Sequence, residues 1–463
     1  MAREYLLIGG IFAALIITAF LAIRHIHSKR HNKEHRKINV KRLVWWLVFL
    51  SYLFVVIGAT MLSRGSNYEY NMVTPLFYSY KTAWNNWSVR EWRNIILNIW
   101  MFVPFGLLLP MGIKWFGKCY RTYIAGFLFS LFIELSQMLF KIGIFEPDDL
   151  MNNTLGAVIG FGLFIVLFKL YAKERADWGK GATFASNIPL ILTVAIFVAI
   201  YILYSCKELG NNNNRYARLY DVNRLNVYGE EFTDDSERRL MVYESEALTK
   251  KEAYKRAEEL FKRFDGAADI YFAGYYDDEA WIRSRTDGGD KQIIIKYAGG
   301  MFEYSDMEAF SEKGVAYDES EVRKLLKEYG YDICSDAVFT VKDEMRLCFE
   351  ADRCEEHGNI VDGSLEVKLS KDKRIIGLKD NLLTVKPYRE YDAISEAEAY
   401  KRLTEGKFKR YDNAFLNIEV INCKIVYSID TKGFYQPNYR FEVKINGKEA
   451  RIMIPALEAS AEY

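Results

Sequence analysis

Amide and carboxylate side chains set inside apolar sequence are where this chain could do chemistry. Between Glu91 and Phe161, the residues Asn94, Asn98, Glu134, Gln137, Asp148, Asp149, Asn152 and Asn153 lie in or beside segments long enough to cross a bilayer. An ionisable side chain at the membrane centre costs about 2.5–3.5 kcal/mol on the insertion scale, so a carboxylate there is a functional-site candidate by default. Ser130, Glu134 and Gln137 fall at i, i+4 and i+7, on one face of a helix. Asn94 and Asn98 lie one turn apart on another. Glu134 could serve as a general acid or base, as the counter-ion of a bound ligand or as a protonated donor. Asp148 and Asp149 could join it in acid/base work or, with a divalent ion, in handling phosphate. Each polar residue also has a structural reading. Asp148 and Asp149 follow Pro147 and suit the N-terminus of a helix, and Asn94 and Asn98 suit hydrogen bonding between helices.

Six apolar stretches must position these groups: Tyr5–Ile23, Leu43–Leu62, Asn94–Ile113, Tyr123–Ile144, Thr154–Tyr171 and Ile188–Cys206. Each approaches or reaches the ~20 residues needed to span the hydrocarbon. The first lacks a strongly basic start and is followed by a basic loop, so it reads as a retained helix rather than a cleaved signal. Residues 24–42 hold eight Lys/Arg, 114–121 three and 172–187 three, whereas 146–151 hold none. Basic connectors face the cytoplasm, which places the N-terminus and everything after the sixth helix outside. The polar residues then converge on one outward-facing pocket, with Asp148 and Asp149 in an external connector and Asn152 opening the fifth helix. Pro104, Gly106 and Pro110 loosen the third helix beside that pocket, and Gly156 with Gly160 form a face for close helix approach. Tyr78, Tyr80, Trp84, Trp87 and Trp92 crowd the connector before the third helix and read as interfacial anchors or as a surface for sugar rings.

The formal net charge of +1 conceals two opposite halves. Up to Cys206 there are 21 Lys/Arg against 10 Asp/Glu, and beyond it 41 against 51. A membrane domain (residues 1–206) is therefore followed by an acidic water-facing region. With basic residues confined to short loops, nucleic acid is excluded as a partner. The six cysteines show no metal-like spacing; an extracytoplasmic setting would allow one disulfide among Cys334, Cys348, Cys354 and Cys423. His25, His27, His31 and His35 sit in a basic loop and read as solvated charge, and His357 stands alone. No metal and no cofactor is expected.

The three blocks N-I-I-L-N-x-x-x-F-x-P-F-G-x-L-L-P, S-L-x-I-E-x-x-Q and D-D-x-x-x-N-T-x-G-A-x-x-G occur in that order. Together they resemble the VanZ-like membrane family of Gram-positive bacteria, over residues 43–171. The resemblance assigns its motif to Asn94, Asn98, Pro104, Phe105, Gly106, Pro110, Glu134, Gln137, Asp148, Asp149, Asn153, Gly156 and Gly160. The basic residue usual before the acids is replaced here by the apolar run Ile142–Phe145, with Lys141 nearby. The founding member is associated with low-level resistance to a lipoglycopeptide antibiotic, so the resemblance implies a cell-envelope role.

Beyond Cys206, residues 207–215 with Asn211–Asn214 read as a flexible linker, followed by α+β regions at 216–390 and 391–463. Capping-box signals at Thr249–Glu252, Asp318–Glu321 and Ser395–Glu398 start helices at 253–264, 322–329 and 399–403. Gly299-Gly300 and Asn446-Gly447 mark hairpins. Helix-on-antiparallel-sheet units repeated two or three times are expected. Residues 394–457 resemble a PepSY-type module, which implies a non-catalytic, partner-binding role. The leading expectation is an envelope protein that binds a lipid-linked wall intermediate or amphiphilic glycopeptide antibiotic and contributes to antibiotic tolerance. The alternatives are a membrane-embedded acid/base or phosphate-handling enzyme, and an accessory to a sensor kinase or other envelope protein.

Overall fold

The structure is a computed structural model describing residues 18, 40–62, 73–171, 180–276, 278–286, 288–309, 314–342, 346–356, 358–409 and 414–457. It divides into a helical unit ending at Cys206 and a sheet-rich unit over Lys207–Tyr463, with the short segment Trp84–Val89 clustering with the latter. The expected first span, the basic loop after it and all five histidines lie outside the described residues.

The helical unit contains α1 (Val40–Ile57), α2 (Tyr78–Asn86), α3 (Val89–Gly112), α4 (Cys119–Leu139), α5 (Pro147–Tyr171) and α6 (Lys180–Cys206). All but α2 are long and apolar enough to cross a membrane, α1 together with the π-helical turn Gly58–Leu62 that extends it. These five spans match the expected second to sixth, and the protein is a multi-pass membrane protein. Two boundaries differ. Helix α5 begins at Pro147 rather than Thr154, so Asp148 and Asp149 occupy its first turn instead of a connector. Proline at a first helical position loses no hydrogen bond, and the two acids favour the positive end of the helix dipole. Helix α4 ends at Leu139, five residues before the expected limit.

Helix α3 is the centre of the unit. Phe102, Phe105 and Leu109 pack with Phe49 and Val56 of α1, Ile133 of α4 and Ala157 of α5. On another side Ile99 and Val103 pack with Ile159 of α5, and Leu190 and Phe197 of α6 join them. Small residues make the α3–α5 crossing close. A methyl at Gly106 would overlap the Ala157 carbonyl oxygen, one at Gly156 the Ile99 carbonyl oxygen, and one at Gly160 the Val103 carbonyl oxygen. Backbones can meet this way only where no Cβ intervenes. Pro104 and Pro110 lie inside α3, which continues through both. Polar groups of α1 bind backbone in the same region: Trp45 Nε1 donates to the Leu108 carbonyl at 2.9 Å and the Tyr52 hydroxyl to the Met101 carbonyl at 2.8 Å.

The sheet-rich unit is built on one 14-stranded sheet. Its strands are β1 (Leu225–Gly229), β2 (Arg238–Ser245), β3 (Ile270–Tyr275), β4 (Glu279–Thr286), β5 (Gly289–Lys296), β6 (Phe302–Asp306), β7 (Val338–Lys342), β8 (Arg346–Glu356), β9 (Asn359–Leu369), β10 (Ile375–Asp380), β11 (Leu383–Ala393), β12 (Leu416–Ile429), β13 (Phe434–Ile445) and β14 (Lys448–Pro455). The main path runs β1-β12-β13-β2-β11-β9-β10-β6-β5-β4-β3, with β14 on β13 and β8 joining β7 to β9. Among the described strands of this sheet, only β1 and β12 pair in parallel; the remaining pairings are antiparallel. Three helices form where the capping signals stood: α7 (Lys250–Asp265), α8 (Glu319–Glu328) and α9 (Glu396–Thr404). Thr249 and Glu252 complete a full capping box on α7.

Two cores lie on this sheet. Ala253, Ala257, Leu260 and Phe261 of α7 and Val322 and Leu326 of α8 pack on β4, β5, β6, β8, β9 and β10. Ala399 and Leu403 of α9 pack on β12, β13 and β14. The helix-on-sheet units are present, but their strands are hydrogen-bonded into one sheet. Strand β11 runs through the expected boundary at 390/391, and β1 pairs with β12 across it. The Asn211–Asn214 stretch is docked rather than flexible. Asn211 and Asn212 are buried, the Gly210 N–H donates to Asp430 at 2.7 Å and Asn212 Nδ2 to Asn438 Oδ1 at 2.9 Å. Four short amides satisfy a sheet's polar groups as readily as they solvate a linker, and composition does not separate the two cases. Cys334, Cys348 and Cys423 are thiols, so the disulfide that an extracytoplasmic setting would allow among the four cysteines is not formed.

Two measurements test this packing. Gly156→Ala forces a methyl into backbone and should cost about 1–3 kcal/mol, whereas Gly117→Ala, which meets open space, should be neutral in thermal unfolding of the detergent-solubilised protein. In the sheet unit, Lys291 and Asp306 form a 2.5 Å ion pair with both side chains under 8% exposed. Lys291→Met strands the carboxylate and should cost about 3–5 kcal/mol in the same assay.

Candidate functional site

The polar residues of α3, α4 and α5 separate into three groups. The first lines a cavity of about 420 Å³ bordered by Tyr78, Ser79 and Thr82 of α2, Glu91, Asn94, Ile95, Leu97 and Asn98 of α3, Glu146, and Asp149 of α5. Asn98 Nδ2 donates to Asp149 Oδ1 at 2.5 Å, joining the two long helices at its wall. Asn94 and Leu97 are exposed on the α3 surface, so the cavity opens on a face of this membrane-spanning helix that carries both polar and apolar side chains. Its described lining carries three carboxylates, two amides and three hydroxyls, and no Lys or Arg.

The second group holds connecting backbone. Asp148 is fully buried; its Oδ1 accepts from the Phe77 N–H at 2.5 Å and its Oδ2 from the Ser79 N–H at 2.8 Å. A carboxylate at those free amide groups caps the start of α2. Asp148 thus caps a helix 70 residues away in sequence, in addition to sitting in the first turn of its own. Glu134 Oε2 accepts from the Glu146 N–H at 3.0 Å, which fixes the turn entering α5. Gln137 Nε2 donates to the Thr60 carbonyl at 2.9 Å in the π-helical turn after α1. Glu134 and Gln137 are each 2% exposed, and neither lines the cavity.

Asn152 and Asn153 form the third group, both buried in α5. The Tyr80 hydroxyl donates to Asn152 Oδ1 at 2.5 Å, and Asn153 Nδ2 donates to Ser130 Oγ at 2.9 Å. Burial and the neighbouring Asp148 charge push the Tyr80 hydroxyl up to about 12, so it stays a donor. Asn152 Nδ2, Asn153 Oδ1 and Thr82 Oγ1 are buried without a hydrogen-bond partner among the described residues.

Of the sequence candidates, Asn94, Asn98 and Asp149 meet at the cavity, while Glu134, Gln137, Asp148, Asn152 and Asn153 pack around it. Pro104, Gly106, Pro110, Gly156 and Gly160 lie deeper along α3 and α5, and the prolines do not border the opening. Glu91, Glu146 and the α2 hydroxyls were not anticipated. Glu91 could have been found by extending the Asn94 and Asn98 face one turn back, at i−3 from Asn94; Glu146 and α2 carried no periodic signal. Among the described residues, no three His, Cys, Asp or Glu side chains gather in a way that would hold a metal ion.

Residues 43–169 match the family model described as VanZ/LLP1. Protein VanZ of Enterococcus faecium is 35% identical over 94 residues, which is 19% of this chain and 55% of that protein. The chain therefore spans about half the length of this curated relative. The Bacillus megaterium YpeB C-terminal domain aligns with 47% of this chain and 97% of its own length at 14% identity, with a TM-score of 0.22. Residues 394–457 themselves form one helix on antiparallel strands. With the motif blocks, five membrane spans and matched segment in agreement, the helical unit of this protein carries a VanZ-like domain at residues 43–169.

Proposed function

We propose that the VanZ-like unit binds an amphiphilic ligand in the cavity beside Asn98 and Asp149, and thereby contributes to tolerance of an amphiphilic glycopeptide antibiotic. The observation that carries this reading is a polar cavity set in a membrane-spanning helix, with the apolar side chain of Leu97 exposed at its opening. Such a site suits a molecule with a hydrogen-bonding head and an apolar tail. The chemistry of the lining favours one of the two expected ligand classes. Glu91, Glu146 and Asp149 attract amine and amide donors and oppose a diphosphate, so an amine-bearing glycopeptide fits better than a lipid-linked wall intermediate. The likeness to Protein VanZ and the envelope role implied by the motif support the same reading.

The basic connectors support an orientation for this site. Residues 24–42, 114–121 and 172–187, with eight, three and three Lys/Arg, are the basic connectors and belong on the cytoplasmic side. The cavity end of α3, the turn at Glu146 and the sheet unit are then extracytoplasmic, where an antibiotic would arrive.

Lipoglycopeptide susceptibility of cells expressing Asp149→Asn or Asn98→Leu tests the proposal, alongside binding of a fluorescent lipoglycopeptide to the purified protein in nanodiscs. Each variant should bind about tenfold more weakly, a loss of about 1.4 kcal/mol, and lose tolerance. Wild-type binding and tolerance in both, with normal membrane insertion, would show the reading to be wrong. Asp148→Ala separates scaffold from site: it orphans two backbone donors and should lower thermal stability by about 2 kcal/mol, with Asp148→Asn recovering part of the loss.

A further inference from the structure

The sheet unit holds a separate cavity of about 520 Å³ beside α7. Arg256 and Arg263 border it from α7 together with Glu252, Lys255 and Glu259, Glu246 from the end of β2, Tyr331 from the turn after α8, and Asp380 from the end of β10; Leu248, Leu260 and Phe302 supply apolar surface. Arg256 and Arg263 are two turns apart and share a helix face.

The charges around this cavity are only partly paired, Lys255 with Glu259 at 3.7 Å among them. Arg256 Nη1 pairs with Glu246 at the rim at 2.7 Å. Asp380 accepts the Leu382 N–H at 3.0 Å, and among the described residues neither Asp380 nor Arg263 forms an ion pair. Asp380 and Arg256 are nonetheless near enough to interact. Burial pushes the Asp380 carboxyl up to about 6 against the opposing pull of the Arg256 guanidinium. The buried Tyr331 hydroxyl feels Asp380 together with both arginines. An arginine stem is long enough to close on a neighbouring carboxylate, and a buried charge gains from such a partner. Here the space between is open instead.

We propose that this cavity binds a small zwitterion, an α-amino acid or short peptide. Its carboxylate is held by Arg263 with Arg256, its ammonium by Asp380, and its side chain by Leu248, Leu260 and Phe302. Guanidinium presents paired donors that match a carboxylate. A simple anion would leave the half-buried Asp380 uncompensated, and a simple cation would face two guanidinium groups. A zwitterion meets both ends at once.

Isothermal titration of the full-length protein in nanodiscs with leucine and glycyl-leucine tests this, using N-acetylleucine and leucinamide as single-charge analogues. At least one zwitterion should bind saturably, with each blocked analogue weaker by about tenfold or more. Asp380→Asn and Arg263→Met should each weaken zwitterion binding by about tenfold while the circular dichroism of the sheet is unchanged. Absence of saturable binding by either zwitterion to the folded wild-type protein up to millimolar concentration would overturn the proposal. Binding of the blocked analogues as tightly as leucine would overturn it equally. The residues involved are distinct from those of the membrane cavity, so neither result bears on the antibiotic reading.

Discussion

A carboxylate taken out of water must be hydrogen-bonded, and the way Asp148 meets that demand organises the membrane unit. Its two oxygens accept the free N–H groups of Phe77 and Ser79 at the start of α2. Those amides are themselves the unsatisfied groups that any helix N-terminus presents, so each side supplies what the other lacks. The pairing seats Tyr78, Ser79 and Thr82 over the ends of α3 and α5, where they become one wall of the cavity. Glu134 does comparable work from α4 by holding the Glu146 N–H. Two of the most conspicuous acids in the sequence therefore build the rim that other side chains use.

The opposite wall depends on how closely two helices can approach. Gly106, Gly156 and Gly160 let α3 and α5 meet backbone to backbone. Without a hydrophobic driving force between helices in lipid, such contact and the hydrogen bonds it permits supply the association. Asn98 and Asp149 lie near the same end of this crossing and bond directly. Their short side chains can do so because the helices are close. Packing deeper in the membrane thus sets the geometry of polar groups nearer its surface.

The sheet unit solves a different problem, covering a wide sheet with few helices. Helices α7 and α8 cover one part and α9 another, each with a compact apolar face. Strands β2 and β11 pair with each other and connect β13 to β9, linking the two parts. The buried polar set of Gly210, Asn212, Asp430 and Asn438 seals the chain entering this unit.

How much of this was legible in the sequence depends on whether the signal was local. Five membrane spans, three helices of the sheet unit (two of them capped by the side chains of Thr249 and Ser395) and the Gly299-Gly300 and Asn446-Gly447 hairpins followed from periodicity, capping and turn chemistry. Each of these is written into neighbouring residues. The glycine face of α5 was equally plain, because spacing alone puts Gly156 and Gly160 together. Which polar residues share a cavity was decided by tertiary structure. Helical spacing placed Glu134 on an inward face, but only the path of the chain through Glu146 determined what its carboxylate would meet. The same holds for Asp148, whose partners come from a helix with no amphipathic pattern, and for Asn212, whose side-chain amide meets Asn438 over 200 residues away. A hydrogen-bond donor or acceptor announces a need for a partner, and only the folded chain determines which group arrives.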